Sequence, residues 1–198
     1  MIINFDSGKA TEHKTLSIIG DELGYKSVNN LILKHYNVTC EIDHIILTRK
    51  HIYVVETKNW NGKVEGSQKD IQWKYYSNNS YYTKLNPIIQ NQKHINLLVN
   101  KYRLPKSTII NLVVYSNDAD INGVQYEEKD NLKILKQKDL KRFISDKEGK
   151  DTSIFTNLEV DELKRKIKAQ KSNDKVRRKH IRECIIMSNR FNSKIALC

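Results

Sequence analysis

Cysteine residues and long apolar runs are both scarce in this 198-residue chain, and each scarcity excludes a class of protein. The three cysteines, Cys40, Cys184 and Cys198, show no Cys-x-x-Cys spacing. This argues against a disulfide framework or a complete zinc site and predicts a cytoplasmic location. No run approaches the roughly 18 consecutive apolar residues of a membrane span, so no membrane association is expected. The first residues lack a basic segment followed by an apolar one, so a secretory signal is not expected either.

Acidic residues are scarce in the C-terminal part of the chain. The formal net charge is +12, and residues 164–194 hold twelve Lys or Arg against two acidic residues. That segment therefore carries +10 and leaves +2 for the remainder. We predict a domain over residues 1–150 and a basic helical extension over residues 151–198 that binds the phosphate backbone of DNA, with RNA as an alternative partner. A solvated, lysine-rich helix face fits the composition equally well. Four basic residues, here called the tail cations, are the candidate backbone contacts: Lys175, Arg177, Arg178 and Lys179.

The hydrophobic pattern predicts an α/β fold. Helical spacing of Val28, Leu31 and Ile32 predicts an N-terminal helix over about residues 16–34. Residues 38–47 and 52–57 read as a β-hairpin, and the continuous apolar run at 109–115 predicts a central strand. Pro87 suits the first turn of a helix that ends near Lys101. Shorter elements complete a mixed sheet flanked by helices: strands near 63–66 and 132–135, a helix near 138–144 and two amphipathic tail helices.

Charged residues stand where apolar strands would normally continue. Because side chains alternate across a strand, Glu56 and Lys58 should emerge on one face, with Thr57 on the other. Asp43 interrupts the preceding apolar strand, and a hairpin would bring it beside Glu56. Two neighbouring carboxylates repel each other unless a divalent cation or an ammonium group lies between them.

The spacing Glu-x-Lys is common in a lysine-rich chain, so an ordinary ion pair is the alternative to a metal site. Only the copy at Glu56 closes an apolar strand, and we expect the other four to lie on the solvated surface. The five copies begin at Glu12, Glu56, Glu127, Glu148 and Glu162.

Several motifs in order along the chain resemble the nuclease-related domain family, NERD, which is grouped with the PD-(D/E)xK nucleases. The resemblance extends over about residues 20–145. It rests on Glu41-Ile42-Asp43-His44-Ile45-Ile46, Ile52-Tyr53-Val54-Val55-Glu56-Thr57-Lys58-Asn59, Gly62, Gly66, Trp73, Asn86-Pro87-Ile88-Ile89-Gln90 with His94-Ile95, and Val113-Val114-Tyr115-Ser116-Asn117.

The resemblance implies a restriction-endonuclease-like sheet and a Mg²⁺-dependent deoxyribonuclease, with Mn²⁺ as a substitute metal. Asp43, Glu56 and the Thr57 carbonyl would bind the metal, Lys58 would act on the phosphate or water, and Gln90 would support them. The family's first-helix motif Gly-x-x-Gly-Glu is not met at Gly24, and we predict that Glu22 substitutes for its glutamate. A catalytically inactive nucleic-acid-binding module with the same fold is the alternative function.

Overall fold

Nine strands form two mixed sheets in the computed structural model, which describes residues 5–36, 38–77, 80–150 and 152–169. In chain order the strands are β1 (Lys26–His35), β2 (Val38–Leu47), β3 (Ile52–Lys58), β4 (Lys63–Ser67), β5 (Gln72–Ser77), β6 (Ser80–Leu85), β7 (Ile109–Tyr115), β8 (Asp120–Gln125) and β9 (Leu132–Lys136). The larger sheet has the order β1-β2-β3-β7-β9, with β3, β7 and β9 parallel, and the smaller sheet has the order β6-β5-β4-β8. The predicted central strand is therefore confirmed, because β7 lies between β3 and β9.

Helices cover both faces of the larger sheet. They are α1 (Phe5–Ser17), followed by a π-helical turn (Ile18–Glu22), then α2 (Pro87–Tyr102), α3 (Gln137–Lys150) and α4 (Asn157–Ala169). One apolar core joins α2 and α4 to the sheet, with Val54 and Leu98 among its fully buried members. The opposite core joins the π-helical turn and α3 to the other face, around Val55 and Leu112. The predicted α/β architecture with flanking helices is confirmed.

Residues 26–34 form strand β1 and not the predicted helix. Asn30 has a left-handed backbone (φ 50), and the β1–β2 ladder skips the pair between Asn30 and Asp43. This irregularity changes which residues share a face, so that Val28 and Leu31 pack into the same core although they are three residues apart. A spacing of three residues is the helical signal, and here sheet pairing with β2 decided the structure instead.

The smaller sheet packs a third apolar core beside the C-terminal ends of β3 and β7. Trp73 on β5 is fully buried, and its indole lies so close to Gly66 on β4 that a side chain there would collide with it. The Trp73 Nε1 donates to the Ser67 carbonyl at 2.8 Å. The aromatic stretch is thereby fixed with one face toward the larger sheet.

Hydrogen bonds fix the position of helix α2 on the larger sheet. Asn86 caps its first turn by accepting from the Ile88 amide at 2.9 Å, and Pro87 occupies the first position. One turn later, Asn91 is fully buried and donates to the Val54 carbonyl at 2.7 Å and to Asn111 Oδ1 at 2.8 Å. These contacts fix which α2 residues face the end of β3.

Helix α4 packs on the larger sheet through the buried residues Val160 and Ile167. The tail cations and the second predicted tail helix lie outside the described residues, so the division at residue 150 and the role of the extension stay predictions. None of the helices in the described ranges is long and apolar enough to cross a membrane.

Candidate active site

The candidate site lies at the C-terminal end of β3, on the face that α2 covers. Strand alternation puts Glu56 and Lys58 on the same side as Val54, which packs against α2. Gln90 and His94, one turn apart on α2, project toward Glu56. The structure brings Glu56, Lys58 and Gln90 together, and their catalytic roles stay a prediction.

Three polar side chains form a closed triangle of contacts. Lys58 Nζ donates to Glu56 Oε1 at 2.5 Å and to Gln90 Oε1 at 3.1 Å. Gln90 Nε2 in turn donates to the same Glu56 Oε1 at 2.7 Å. The Glu56 side chain is 4% exposed and that of Lys58 is 14% exposed, so water screens their attraction weakly. Each group therefore holds the other two in a single arrangement.

Burial raises the pKa of Glu56 to about 7. The cation of Lys58 opposes this shift, and the negative charges of Asp43 and Glu12 add to it. Glu56 Oε2 is buried and accepts no hydrogen bond from a described residue, although His94 Nδ1 lies 3.5 Å away. A buried carboxylate oxygen without a hydrogen bond is costly unless a cation or water satisfies it.

Asp43 stands beside Glu56 on the neighbouring strand. The antiparallel β2–β3 ladder ends at the pair His44–Val55, so Asp43 and Glu56 are the first residues beyond it, and the charge of Asp43 acts on Glu56. Both hydrogen bonds that Asp43 accepts fall on Oδ2, one from the Thr57 amide and one from Thr57 Oγ1, each at 2.8 Å. Thr57 thus orients the carboxylate of Asp43, a role that the sequence did not suggest.

Glu22 lies away from this cluster. It sits in the π-helical turn, where Lys141 of α3 approaches its Oε2 at 3.2 Å, and its side chain is 46% exposed. The structure therefore does not bring Glu22 to Asp43, Glu56 or Lys58. The helical spacing of Val28, Leu31 and Ile32, which lie on β1, predicts a first helix that starts later in the chain than α1 does.

Glu12 is the glutamate of the first helix whose charge reaches Glu56. It lies on α1, which packs across β3, and its charge contributes to the raised pKa of Glu56. The sequence pattern had predicted a solvated surface position for Glu12. The available signal was Gly8-Lys9-Ala10-Thr11-Glu12, which differs from Gly-x-x-Gly-Glu only by Thr11.

His94 lines the site, whereas His44 pairs with Val55, whose side chain packs on the opposite face of the sheet. His44 Nδ1 lies 2.9 Å from Asn29 Oδ1, and burial lowers the pKa of His44 to about 4, so its ring is neutral near pH 7. His94 lies against Glu56 as described above. Among the described residues, no group of three or more His, Cys, Asp or Glu side chains is arranged to hold a metal ion by itself.

The carboxylate oxygens of Glu56 and Asp43 nevertheless suit a hard divalent cation. Mg²⁺ prefers oxygen ligands, keeps several waters and is commonly bound by one or two carboxylates. Glu56 offers the buried oxygen Oε2, and Asp43 keeps Oδ1 clear of the bonds from Thr57. Glu12 adds a third negative charge nearby. The ligand identities themselves stay a prediction.

The fold and site together define an α/β domain whose charged groups meet at the end of a central strand. The family model described as "Nuclease-related domain" matches residues 7–116, more than half of the chain, so the protein belongs to the nuclease-related domain family. An uncharacterized protein of Bacillus anthracis is 28% identical over 181 residues, covering 88% of this chain and 82% of that protein. A crystal structure of a protein of unknown function, AF1548, aligns with a TM-score of 0.36 and 15% identity over 59% of this chain and 56% of the other.

Proposed function

We propose that the protein is a metal-dependent deoxyribonuclease that hydrolyses phosphodiester bonds, with Mg²⁺ as the cofactor and Mn²⁺ as a substitute. One observation supports this most: a buried carboxylate, Glu56, is hydrogen-bonded on one oxygen by Lys58 and Gln90, and no described residue donates a hydrogen bond to the other. The second oxygen, Oε2, is the kind of hard carboxylate ligand that Mg²⁺ takes.

The metal ligands in this proposal are Asp43, Glu56 and the Thr57 carbonyl, with Glu12 within electrostatic reach. When bound, Mg²⁺ would polarise the scissile phosphate and lower the pKa of an attacking water. Thr57 keeps the Asp43 carboxylate in place through two hydrogen bonds. The high pKa of Glu56 means that a proton competes with the cation below neutral pH.

Lys58 is the group that acts on the reacting phosphate. Its ammonium is preoriented by Glu56 and Gln90, so little reorganisation is needed when negative charge develops on the phosphate oxygens. Gln90 also has an amide that can position water or phosphate. Removing one such preorganised donor typically lowers the rate by about 10² to 10³.

The proposed substrate is DNA, held through its phosphate backbone. The tail cations belong to the segment that carries +10, and their proposed contacts are with phosphates rather than bases. A cytoplasmic location agrees with the cysteine pattern and stays a prediction.

A plasmid-nicking assay with Mg²⁺ tests the assignment. We expect Glu56→Gln, Asp43→Asn, Lys58→Ala and Glu12→Gln to lower the cleavage rate at least about 100-fold while DNA retention stays close to that of the parent. Glu22→Gln is the matched control, since Glu22 lies in a half-exposed pair with Lys141, and it should cut normally. Variants that all cut like the parent would assign the activity to another site. A parent that retains DNA but never cuts would support the inactive binding module.

A further inference from the structure

A row of aromatic rings leads from the candidate site to the edge of the smaller sheet. Trp60 follows β3, and Lys58 Nζ lies 5.8 Å from its ring centroid. The Trp60 and Tyr75 centroids are 5.5 Å apart, and those of Tyr75 and Tyr82 are 6.4 Å apart. We call Trp60, Tyr75 and Tyr82 the ring row. Its inner end touches the candidate catalytic lysine, and its outer end lies on the edge strand β6.

The register of β5 and β6 explains why the ring row lies on one face. Tyr75 pairs with Tyr82 and Trp73 with Lys84, so these four side chains share a face. Trp73 is fully buried, which fixes that face toward the larger sheet and the candidate site. Lys84 Nζ lies 5.1 Å from the Trp60 centroid and 5.3 Å from the Tyr75 centroid. The ammonium group of Lys84 therefore lies against two rings of the ring row.

Exposure increases along the row. Trp60 is 7% exposed, whereas Tyr82 is 42% exposed, and every residue of β6 is exposed. The described parts of β5 and β6 contain Lys74 and Lys84 but no Asp or Glu. An accessible ring beside a lysine on a strand without acidic residues is complementary to a base and its phosphate, since aromatic platforms and cations bind unpaired nucleotides without sequence preference.

We propose that the ring row is a binding track for single-stranded DNA, with a base stacked on Tyr82 and a phosphate at Lys84, leading the strand to Lys58. The substrate class would then be single-stranded or frayed DNA, because bases inside a duplex are already stacked and cannot cover a tyrosine ring. This inference rests on the proposed function for what happens at Lys58, while binding to the row can be measured without cleavage.

The experiment uses the 198-residue chain in EDTA, so that no metal-dependent cleavage takes place. Binding of a fluorescein-labelled oligodeoxythymidylate of about 15 nucleotides is followed by anisotropy and compared with a blunt duplex of the same length. We expect Tyr82→Ala and Tyr82→Leu to weaken single-strand binding by about 5- to 100-fold and duplex binding less than about twofold. Tyr82→Phe keeps the ring and should bind like the parent.

Tyr81 provides the matched control on the same strand. It is 59% exposed and points to the opposite face, where it pairs with Tyr76 at 5.9 Å and Lys74 Nζ lies 5.6 Å from its centroid. That face differs from the ring row because the acidic Glu65 interacts with Tyr76 there and because it faces away from Lys58. Tyr81→Ala should leave single-strand binding within about twofold of the parent. Lys84→Ala should reduce the slope of log K against log salt by about 0.7, the value for one neutralised phosphate on a single strand, whereas Lys74→Ala should not.

The inference is overturned if the parent does not bind the single strand, if Tyr82→Ala binds it like the parent, or if Tyr81→Ala and Tyr82→Ala weaken it equally. Equal losses on single strand and duplex would also contradict it. Failure of the proposed function would look different: single-strand binding would depend on Tyr82, yet the parent would cut no DNA with any metal.

Discussion

Replacing Glu56 by glutamine should make the metal-free protein more stable at alkaline pH relative to the parent. The folded carboxyl keeps its proton up to about pH 7, whereas an unperturbed glutamate releases it near 4.5. Between those values the folded state binds more protons, so the free energy of unfolding of the parent falls as pH rises. Glutamine has the same shape and does not titrate.

The size of the effect follows from the pKa difference. From near pH 5 to near pH 8, proton linkage at Glu56 lowers the free energy of unfolding of the parent by about 2.5 kcal/mol relative to Glu56→Gln. For a chain of this length that corresponds to roughly 5–10 °C in Tm. The glutamine also alters the hydrogen bonds with Lys58 and Gln90, and this changes the free energy of unfolding by the same amount at every pH. The comparison between two pH values therefore removes that contribution.

The assay is denaturant unfolding in EDTA at several pH values, with Glu127→Gln as a control at an exposed glutamate. We expect the free energy of unfolding of Glu56→Gln to rise above that of the parent as pH increases. The free energy of unfolding of the control should change with pH as that of the parent does. Adding Mg²⁺ near pH 8 should stabilise the parent, by about 2.7 kcal/mol at a hundred times Kd, and should leave Glu56→Gln unchanged. Parallel curves for parent and Glu56→Gln would refute the buried, proton-binding carboxylate.

Three further predictions concern the core, a buried histidine and the tail. Gly66→Ala should cost about 1–3 kcal/mol of unfolding free energy, because the added methyl would lie 2.2 Å from Cδ1 of Trp73. The control Gly149→Ala has no atom within 4 Å and should be neutral or stabilising. The folded His44 resists protonation, so His44→Gln should gain roughly 2.5 kcal/mol over the parent as pH falls from about 7 to about 4.5. Neutralising the tail cations should flatten the salt dependence of DNA binding by roughly one unit of slope for each phosphate that the variant no longer neutralises.

Equal stability of the Gly66 and Gly149 variants in chemical unfolding would mean that Trp73 does not pack over Gly66. A His44→Gln curve parallel to that of the parent over the acid range would mean that the folded imidazole titrates normally. An unchanged salt slope in binding titrations at fixed DNA length would mean that the tail does not bind the DNA backbone.

The sequence was sufficient for the part of the site that depends on strand alternation. Glu56 and Lys58 share a face because they are two residues apart on one strand, and Gln90 reaches them because Pro87 and Asn86 fix where α2 begins. Continuous apolar character likewise identified β7 as a central strand.

The parts that failed depended on long-range packing. The irregularity at Asn30 gives β1 a helical spacing, which displaces the predicted first helix from residues 5–17 to residues 16–34, where Glu22 lies and Glu12 does not. The anchoring of Asp43 by Thr57 depends on how β2 and β3 diverge beyond His44 and Val55, which no local pattern records. The ring row likewise requires the β5–β6 register, which places Tyr82 and Lys84 on the inner face.

Metal-dependent cleavage by the parent protein tests the central claim most directly. Supercoiled, linear and single-stranded DNA are incubated with the purified chain in Mg²⁺, Mn²⁺ or EDTA, beside Glu56→Gln from an identical preparation. We predict strand scission by the parent in either metal, none in EDTA, and a rate at least about 100-fold lower in the variant. Scission that persists in EDTA, or that the variant performs at the rate of the parent, would contradict a metal-dependent active site built on Glu56 and Lys58.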